Sequence, residues 1–175
     1  AYLWQRAQAF FAESLVGPSV MEWFAQMFRE LQSVLVERLV QKSEAELAQA
    51  GRTKPAIPHG WLLFGKAGRR EMFSYGRPVI GLVYLDPPPD QATAAAIYFS
   101  VLMQTVVAKL EACGLPVLAS AAETTPGQLC GTISEWSEFY RRQMRDPIGN
   151  QIYTAREYFD FYVVSGQAGL GTALQ

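Results

Sequence analysis

The chain has few of the residues that form metal centres and disulfides. It contains a single histidine, His59, and two cysteines, Cys113 and Cys130, which are far apart and form no C-x-x-C pair. These residues cannot supply the four nitrogen and sulfur ligands of a structural zinc site. They also give no disulfide framework, so we expect a reduced, cytoplasmic environment.

The chain also lacks a large excess of charge. Lys and Arg number 15, Asp and Glu number 16, and the formal net charge is −1. We therefore expect that the protein does not bind nucleic acid or an anionic membrane through its whole surface. A binding site for a polyanion would have to be local. The apolar runs at 15–20 and 78–85 are too short to cross a bilayer, so no membrane partner is expected.

The composition is that of a folded domain. Half of the residues are hydrophobic and 13% are aromatic. A chain of 175 residues is long enough to bury a substantial core. We expect a helical extension at 1–54 and one α/β domain at 55–175. Because the chain begins with Ala1 rather than methionine, we interpret it as a fragment of a larger protein.

The first third of the sequence is typical of a long helix. Gly17-Pro18 predicts a turn, Ser19 with Glu22 predicts a capping box, and Gly51 predicts the end of the helix. An apolar stripe at helical spacing comprises Val20, Phe24, Met27, Leu31, Val34, Leu35 and Leu39. This stripe packs either on its own domain or on a partner helix, and the second alternative includes a homodimer.

Short apolar strands are expected at 61–64, 79–84, 115–118 and 158–164, each bounded by turn residues. His59, between Pro58 and Gly60, is expected to be a solvent-exposed loop residue. Strands that alternate with helices predict an α/β (α+β) fold with a small sheet flanked by helices.

Two further helices are expected between these strands. Asp90 predicts the N-cap of the first, which ends at Gly114, and Thr132 with Glu135 predicts a capping box for the second. The residues expected in the core from these helices are Phe99, Leu102, Met103, Val106, Leu110, Trp136, Phe139 and Tyr140.

A glycine turn after the first expected strand is the strongest local signal. In "FGKAGRRE", Gly65 and Gly68 let the backbone turn tightly and present N–H groups to an anion. Lys66, Arg69 and Arg70 add positive charge, and a guanidinium group can bind phosphate oxygens bidentately. Taken alone, however, the G-x-x-G spacing also fits a strand-to-helix turn with basic residues on the surface.

The chain resembles a known family at this point. The region from "PHGWLLFGKAGRRE" to "YFDFYVVSG" is similar to the nucleotidyltransferase domain found beside CBS and cyclic-nucleotide-binding domains in bacterial signal-transduction proteins. That family is itself similar to the PII-protein uridylyltransferases, which have the fold of DNA polymerase beta. The match includes Gly65, Gly68, Arg69 and Glu71, and the resemblance implies a small mixed sheet of the nucleotidyltransferase type.

The departures from the family pattern concern the metal site. The family carries D-x-D on its second strand, with both carboxylates on one face, where they bind a divalent metal. Aligned from Glu71, these positions hold Arg77 and Val79, which offer no oxygen ligand. Lys66 replaces the phosphate-binding serine of the family. The third carboxylate has a match in Asp160, which we interpret as an ion-paired relic that is insufficient for catalysis alone.

The resemblance and its departures leave three functions open. The first is a catalytically inactive regulatory or ligand-sensing domain that needs no cofactor. In such a domain, Arg77 and the glycine turn would bind a nucleotide or another phosphorylated ligand. Alternatively, Arg77 would pair with Asp160 or Glu71 in a pocket that holds no ligand. The second is an active uridylyl- or adenylyltransferase acting on a protein, which would need Mg²⁺. The third is a structural or dimerisation domain. CBS or cyclic-nucleotide-binding domains are the expected neighbours in the full-length protein.

Overall fold

The computed structural model describes residues 18–65, 78–115, 117, 129–145, 158–167 and 169–172. The helices in these residues are α1 (Pro18–Gln49), α2 (Ala92–Ala112), α3 (Ile133–Arg145) and the single turn α4 (Gly169–Thr172). The strands are β1 (His59–Phe64), β2 (Val79–Tyr84), β3 (Cys130–Thr132) and β4 (Phe161–Gly166).

The four strands form one mixed sheet in the order β3-β2-β1-β4. The central strand β1 is antiparallel to β2 and to β4, whereas β2 and β3 are parallel. Strands β1 and β2 consist almost entirely of buried residues, as expected for central strands covered on both faces. The expected α/β (α+β) fold with a small mixed sheet is confirmed.

Helices cover both faces of the sheet. Because side chains alternate along a strand, Tyr84 and Phe64 point to opposite faces of the β1–β2 pair. The ring of Tyr84 stacks on Phe99 of α2 at a centroid distance of 4.4 Å. The ring of Phe64 stacks on Trp136 of α3 at 5.4 Å. Trp136 also donates its indole N–H to the carbonyl oxygen of Leu82, which fixes α3 against β2.

Helix α1 ends as the sequence predicts but buries a different face. Gly51 adopts φ 76°, and the N–H of Arg52 bonds the carbonyl of Leu47 at 2.9 Å, so Gly51 ends α1 in a Schellman motif. In its N-terminal half, the described part of the expected stripe does not pack on its own domain, so the alternative of a partner helix stays a prediction. Met27, Leu31 and Val34 are exposed, while Leu35 and Leu39 are partly buried, and the side chains of Val20 and Phe24 lie outside those described. The buried residues of α1 are Phe28, Gln32, Val36, Val40, Ser43 and Leu47.

Helix α1 packs against the rest of the fold. The Lys109 ammonium of α2 lies 2.6 Å from a Glu46 carboxylate oxygen, and the Arg29 guanidinium lies 6.0 Å from the Tyr162 ring centroid of β4. Whether 1–54 and 55–175 form separate units stays a prediction.

Helix α2 differs from expectation at its start. It begins at Ala92, and the N-cap is Gln91 rather than Asp90, without a side-chain cap bond. Its end near Gly114 (φ 81°) and its buried face are as expected. By length and composition α2 is also apolar enough to cross a membrane, although it contains no unbroken apolar run of that length. Its buried residues, including Phe99 and Leu102, pack in the core.

The last two expected strands were misplaced. Leu115 and Val117 are buried but not in a strand, and the third strand is instead β3, directly before α3. Strand β4 begins at Phe161, three residues later than expected, because Tyr158 and Phe159 are helical. The capping box of α3 is confirmed: Thr132 N–H donates to Glu135 Oε2 at 2.8 Å, and Glu135 N–H donates to Thr132 Oγ1 at 3.1 Å.

Candidate functional site

The ends of three strands meet where β1 finishes. Gly65 follows β1 and donates its N–H to the carbonyl oxygen of Asp160 at 2.8 Å. On the neighbouring strands, Phe64 pairs with Val79 at the start of β2 and with Phe161 at the start of β4. The structure therefore brings Gly65, Val79 and Asp160 together at one end of the sheet, which we call the glycine end.

Gly65 turns the chain at the glycine end. Its φ of 65° lies in the left-handed region, which glycine adopts without the steric cost that a side chain would bring. Most of the site residues expected from the sequence follow this turn and lie outside the described residues. They are Lys66, Gly68, Arg69, Arg70, Glu71 and Arg77.

Val79 is expected, from the family resemblance alone, at one of the two positions of the metal-binding carboxylates. It is the first residue of β2 and is 6% exposed. Its direct neighbour across the strands is Phe64, so the two side chains share one face of the sheet. A valine side chain offers no lone pair, and its surroundings are those of a core residue.

An aromatic cluster fills the same face beneath the glycine end. The ring of Phe64 lies 5.4 Å from Trp136, 5.6 Å from Tyr158 and 5.7 Å from Phe161, measured between centroids. Gly81 makes room for these rings, because a Cβ there would lie 2.8 Å from a Phe64 ring carbon and 3.2 Å from Trp136. This packing gives the face a low local polarity, in which an ionised carboxylate would be costly.

Asp160 lies just outside β4 rather than within it. The residue sits at a bend, is half-buried, and uses its main-chain oxygen to fix Gly65. The expectation of a carboxylate on the last strand was therefore wrong by one position, since β4 begins at Phe161. Among the described residues, no three His, Cys, Asp or Glu side chains gather in a way that could hold a metal ion.

The ion pairs at the opposite end of β1 were not anticipated from the sequence. His59 Nε2 lies 3.2 Å and Lys54 Nζ 2.7 Å from Glu44 Oε1, and the imidazole also packs on Phe99 at 5.2 Å. The expectation that His59 is an exposed loop residue was wrong, since it begins β1 and its side chain is 11% exposed. No local signal links Glu44 of α1 to a histidine that follows a proline-rich loop.

These partners decide the protonation of Glu44. Burial on its own raises the pKa of the Glu44 carboxyl, but hydrogen bonds and charges from His59 and Lys54 outweigh it and hold the pKa below 4.5. Glu44 is therefore ionised at neutral pH and bridges α1 to β1. This is a structural role at the end of the sheet away from Gly65.

Buried groups near β3 are held in their neutral forms. Burial, with smaller contributions from Cys130 and Glu135, raises the pKa of Tyr84 to about 12. Burial, with the charge of Glu135, likewise raises the pKa of Cys130 to about 12. A thiol with so high a pKa is a poor nucleophile at neutral pH, so Cys130 is a core residue rather than a catalytic cysteine.

Comparison with known proteins assigns the family. The model of one family, described as "Putative nucleotidyltransferase DUF294", matches residues 5–150. The match includes the glycine end up to Val79, together with α2 and α3, and it stops before Asp160. No curated protein matches the chain. Since the family model covers more than half of the sequence, the chain belongs to this nucleotidyltransferase-like family.

Proposed function

We propose that the chain is a nucleotidyltransferase-like domain that has lost metal-dependent transfer and serves as a regulatory or ligand-sensing unit in bacterial signal transduction. The observation that carries the proposal is the burial of Val79 beside Phe64, where the family pattern requires a carboxylate. Nucleotidyl transfer depends on a firmly held metal that neutralises the triphosphate and activates the attacking oxygen. Losing one preorganised charge contact typically costs ~10²–10³ in rate, and here both metal-binding positions are replaced.

The surroundings of Val79 argue against an alternative ligand set on that face. The neighbouring strand positions hold Phe64 and Phe161, and the layer behind them is Trp136 and Tyr158. A metal bound against these rings would meet hydrocarbon instead of oxygen. Asp160 is an acidic residue that contacts Gly65 through its main chain, and one carboxylate is a weak site for a hard divalent cation.

The ligand proposed for this domain is a nucleotide or another phosphorylated molecule, bound without metal. The sequence supplies Lys66, Arg69, Arg70 and Arg77 around the turn that begins at Gly65. Guanidinium groups bind phosphate oxygens directly, so a cation at position 77 can take over charge neutralisation that a metal provides elsewhere in the family.

Calorimetry tests this binding directly. ATP, GTP and UTP are titrated into the chain with EDTA present, and we expect at least one to bind with a micromolar dissociation constant. Replacing Arg77→Ala should weaken that binding about tenfold, the effect of losing one charge-assisted hydrogen bond. Arg52→Ala is the matched control, because Arg52 is an exposed arginine at the end of α1. Absence of heat below millimolar nucleotide would overturn metal-free binding and leave the structural role and the metal-dependent transferase.

An active transferase is the competing function. The contact between Gly65 and Asp160 favours this function, because the contact brings two expected site residues together. Incubation with α-³²P-labelled nucleotides, Mg²⁺ or Mn²⁺ and a PII-like acceptor separates the two. Our proposal predicts no labelled acceptor above the level of a denatured control. Stoichiometric labelling that Asp160→Asn abolishes would replace it with the active enzyme.

A further inference from the structure

Helix α1 carries apolar residues on two opposite sides. Val36 and Val40 are buried against the core. Met27 and Leu31 lie nine residues earlier than these two, which is two and a half turns and so the opposite side of the helix. Met27 is 37%, Leu31 45% and Val34 53% exposed. We call Met27, Leu31 and Val34 the outer stripe.

The core of this domain cannot reach the outer stripe, because it packs on the other side of the helix. The spacing of the outer stripe, four residues and then three, is that of the apolar seam between two paired helices. Arg38 falls on the next seam position, where a charged residue fixes register at a cost in stability.

The charges beside the outer stripe are complementary to those of a second, parallel copy. With Leu31 at position a and Val34 at d, Glu30 and Glu37 take g positions and Lys42 takes an e position. In a parallel pair, a g residue of one helix faces the e residue of the next heptad in the other helix. Glu37 of each copy therefore faces Lys42 of the other copy, which gives two such pairs. An antiparallel pair would bring g to g and place Glu30 against Glu37.

We propose that the outer stripe binds a second copy of this chain and that two α1 helices pair in parallel about a two-fold axis. The interface is isologous, so each seam residue meets its own counterpart. It uses no residue of the glycine end and therefore does not depend on the function proposed for that end.

Sedimentation equilibrium of the full chain tests the pairing. We expect a concentration-dependent dimer, and Val34→Glu should raise its dissociation constant at least ~30-fold, as expected for a buried hot-spot position. Ile97→Glu is the matched control, since Ile97 of α2 is 54% exposed and lies off the stripe. A monomer at all concentrations, or equal weakening by both variants, overturns the proposal. Circular dichroism verifies that each variant is folded.

Charge exchange tests the parallel orientation without introducing a charge into the seam. Lys42→Glu should weaken the dimer about tenfold, because Glu37 would then face a glutamate of the other copy. Glu37→Lys combined with Lys42→Glu should restore the affinity. In addition, Val34→Cys should form a symmetric disulfide on oxidation, whereas Gln26→Cys, exposed on the flank of α1, should not. Cross-linking through Gln26→Cys alone, or no rescue by the exchange, contradicts the parallel pair.

Discussion

The two ends of β1, about 17 Å apart for a strand of this length, differ in the kind of residue that they hold. At the glycine end, Val79 and Phe64 form a buried hydrocarbon surface next to Gly65. At the other end, Glu44 bridges His59 and Lys54 and ties α1 to the sheet. The charged network among the described residues of β1 thus lies away from the glycine end. The comparison teaches that, among the described residues, the glycine end is held by ring packing and by the main-chain bond from Gly65 to Asp160, whereas the opposite end is held by charge.

The aromatic cluster at the glycine end should produce the largest effect. Phe64→Ala removes the ring that contacts Trp136, Tyr158 and Phe161, and should lower the free energy of unfolding by roughly 3–5 kcal/mol. Urea denaturation measures the change. Phe159→Ala, at a half-exposed phenylalanine, is the control and should cost about 1 kcal/mol or less. Equal costs would mean that the cluster is loosely packed.

Introducing a carboxylate at position 79 should cause the second-largest loss of stability. Val79→Asp places an ionisable group in a hydrocarbon site and should destabilise the fold by roughly 2–4 kcal/mol at pH 7. The penalty should shrink at pH 5, because burial favours the protonated form of the new aspartate. Val79→Ala, which adds no charge, should cost the same at both pH values. A small, pH-independent penalty that Mn²⁺ reverses would identify the glycine end as a metal site.

The opposite end should show a smaller effect with a defined pH dependence. Glu44→Gln should lower the free energy of unfolding by about 1–2 kcal/mol at pH 7, where the carboxylate accepts bonds from Lys54 and His59. Because the folded-state pKa of Glu44 lies below 4.5, its contribution is present above pH 4.5 and is lost as the pH falls through the folded value. Glu138→Gln, in an exposed pair with Arg141, should change stability less.

The smallest effect concerns reactivity rather than stability. Since the pKa of Cys130 is about 12, its thiol should not react with a disulfide reagent at pH 8 until the protein unfolds. Cys113, which like Cys130 is a partly exposed free cysteine, should account for the rapid phase. Cys130→Ser should leave that phase unchanged and remove the slow one. If both cysteines of the native protein react rapidly with the reagent, the region around β2 and β3 is accessible to solvent.

Local signals in the sequence were sufficient for much of the fold. Gly51 stops α1 because it tolerates a positive φ, and the Thr132–Glu135 capping box begins α3 because its two bonds are local. Strands β1 and β2 were recognised from short, almost wholly apolar runs. These features depend on residues within a few positions of each other, so one sequence can reveal them.

Features set by distant residues were missed. The sequence left open whether the apolar stripe of α1 packs on its own domain, because residues on both sides of that helix are apolar and periodicity alone does not say which side meets the sheet. His59 was taken as exposed because its partner Glu44 belongs to another element. Strand β3 has three residues, too few for a pattern, and it forms by pairing with Leu82 to Tyr84. The roles of Lys66, Arg69, Arg70, Glu71 and Arg77 stay predictions.

Nucleotide affinity with and without metal tests the central claim most directly. A nucleotide found to bind in EDTA is titrated again with Mn²⁺, using the native chain and Asp160→Asn. If the glycine end has exchanged metal ligands for a guanidinium group and hydrocarbon, the two dissociation constants should agree within a factor of about three, well under the tenfold change that 1.4 kcal/mol produces. Binding that Mn²⁺ tightens tenfold or more, and that Asp160→Asn returns to the EDTA value, would contradict the account.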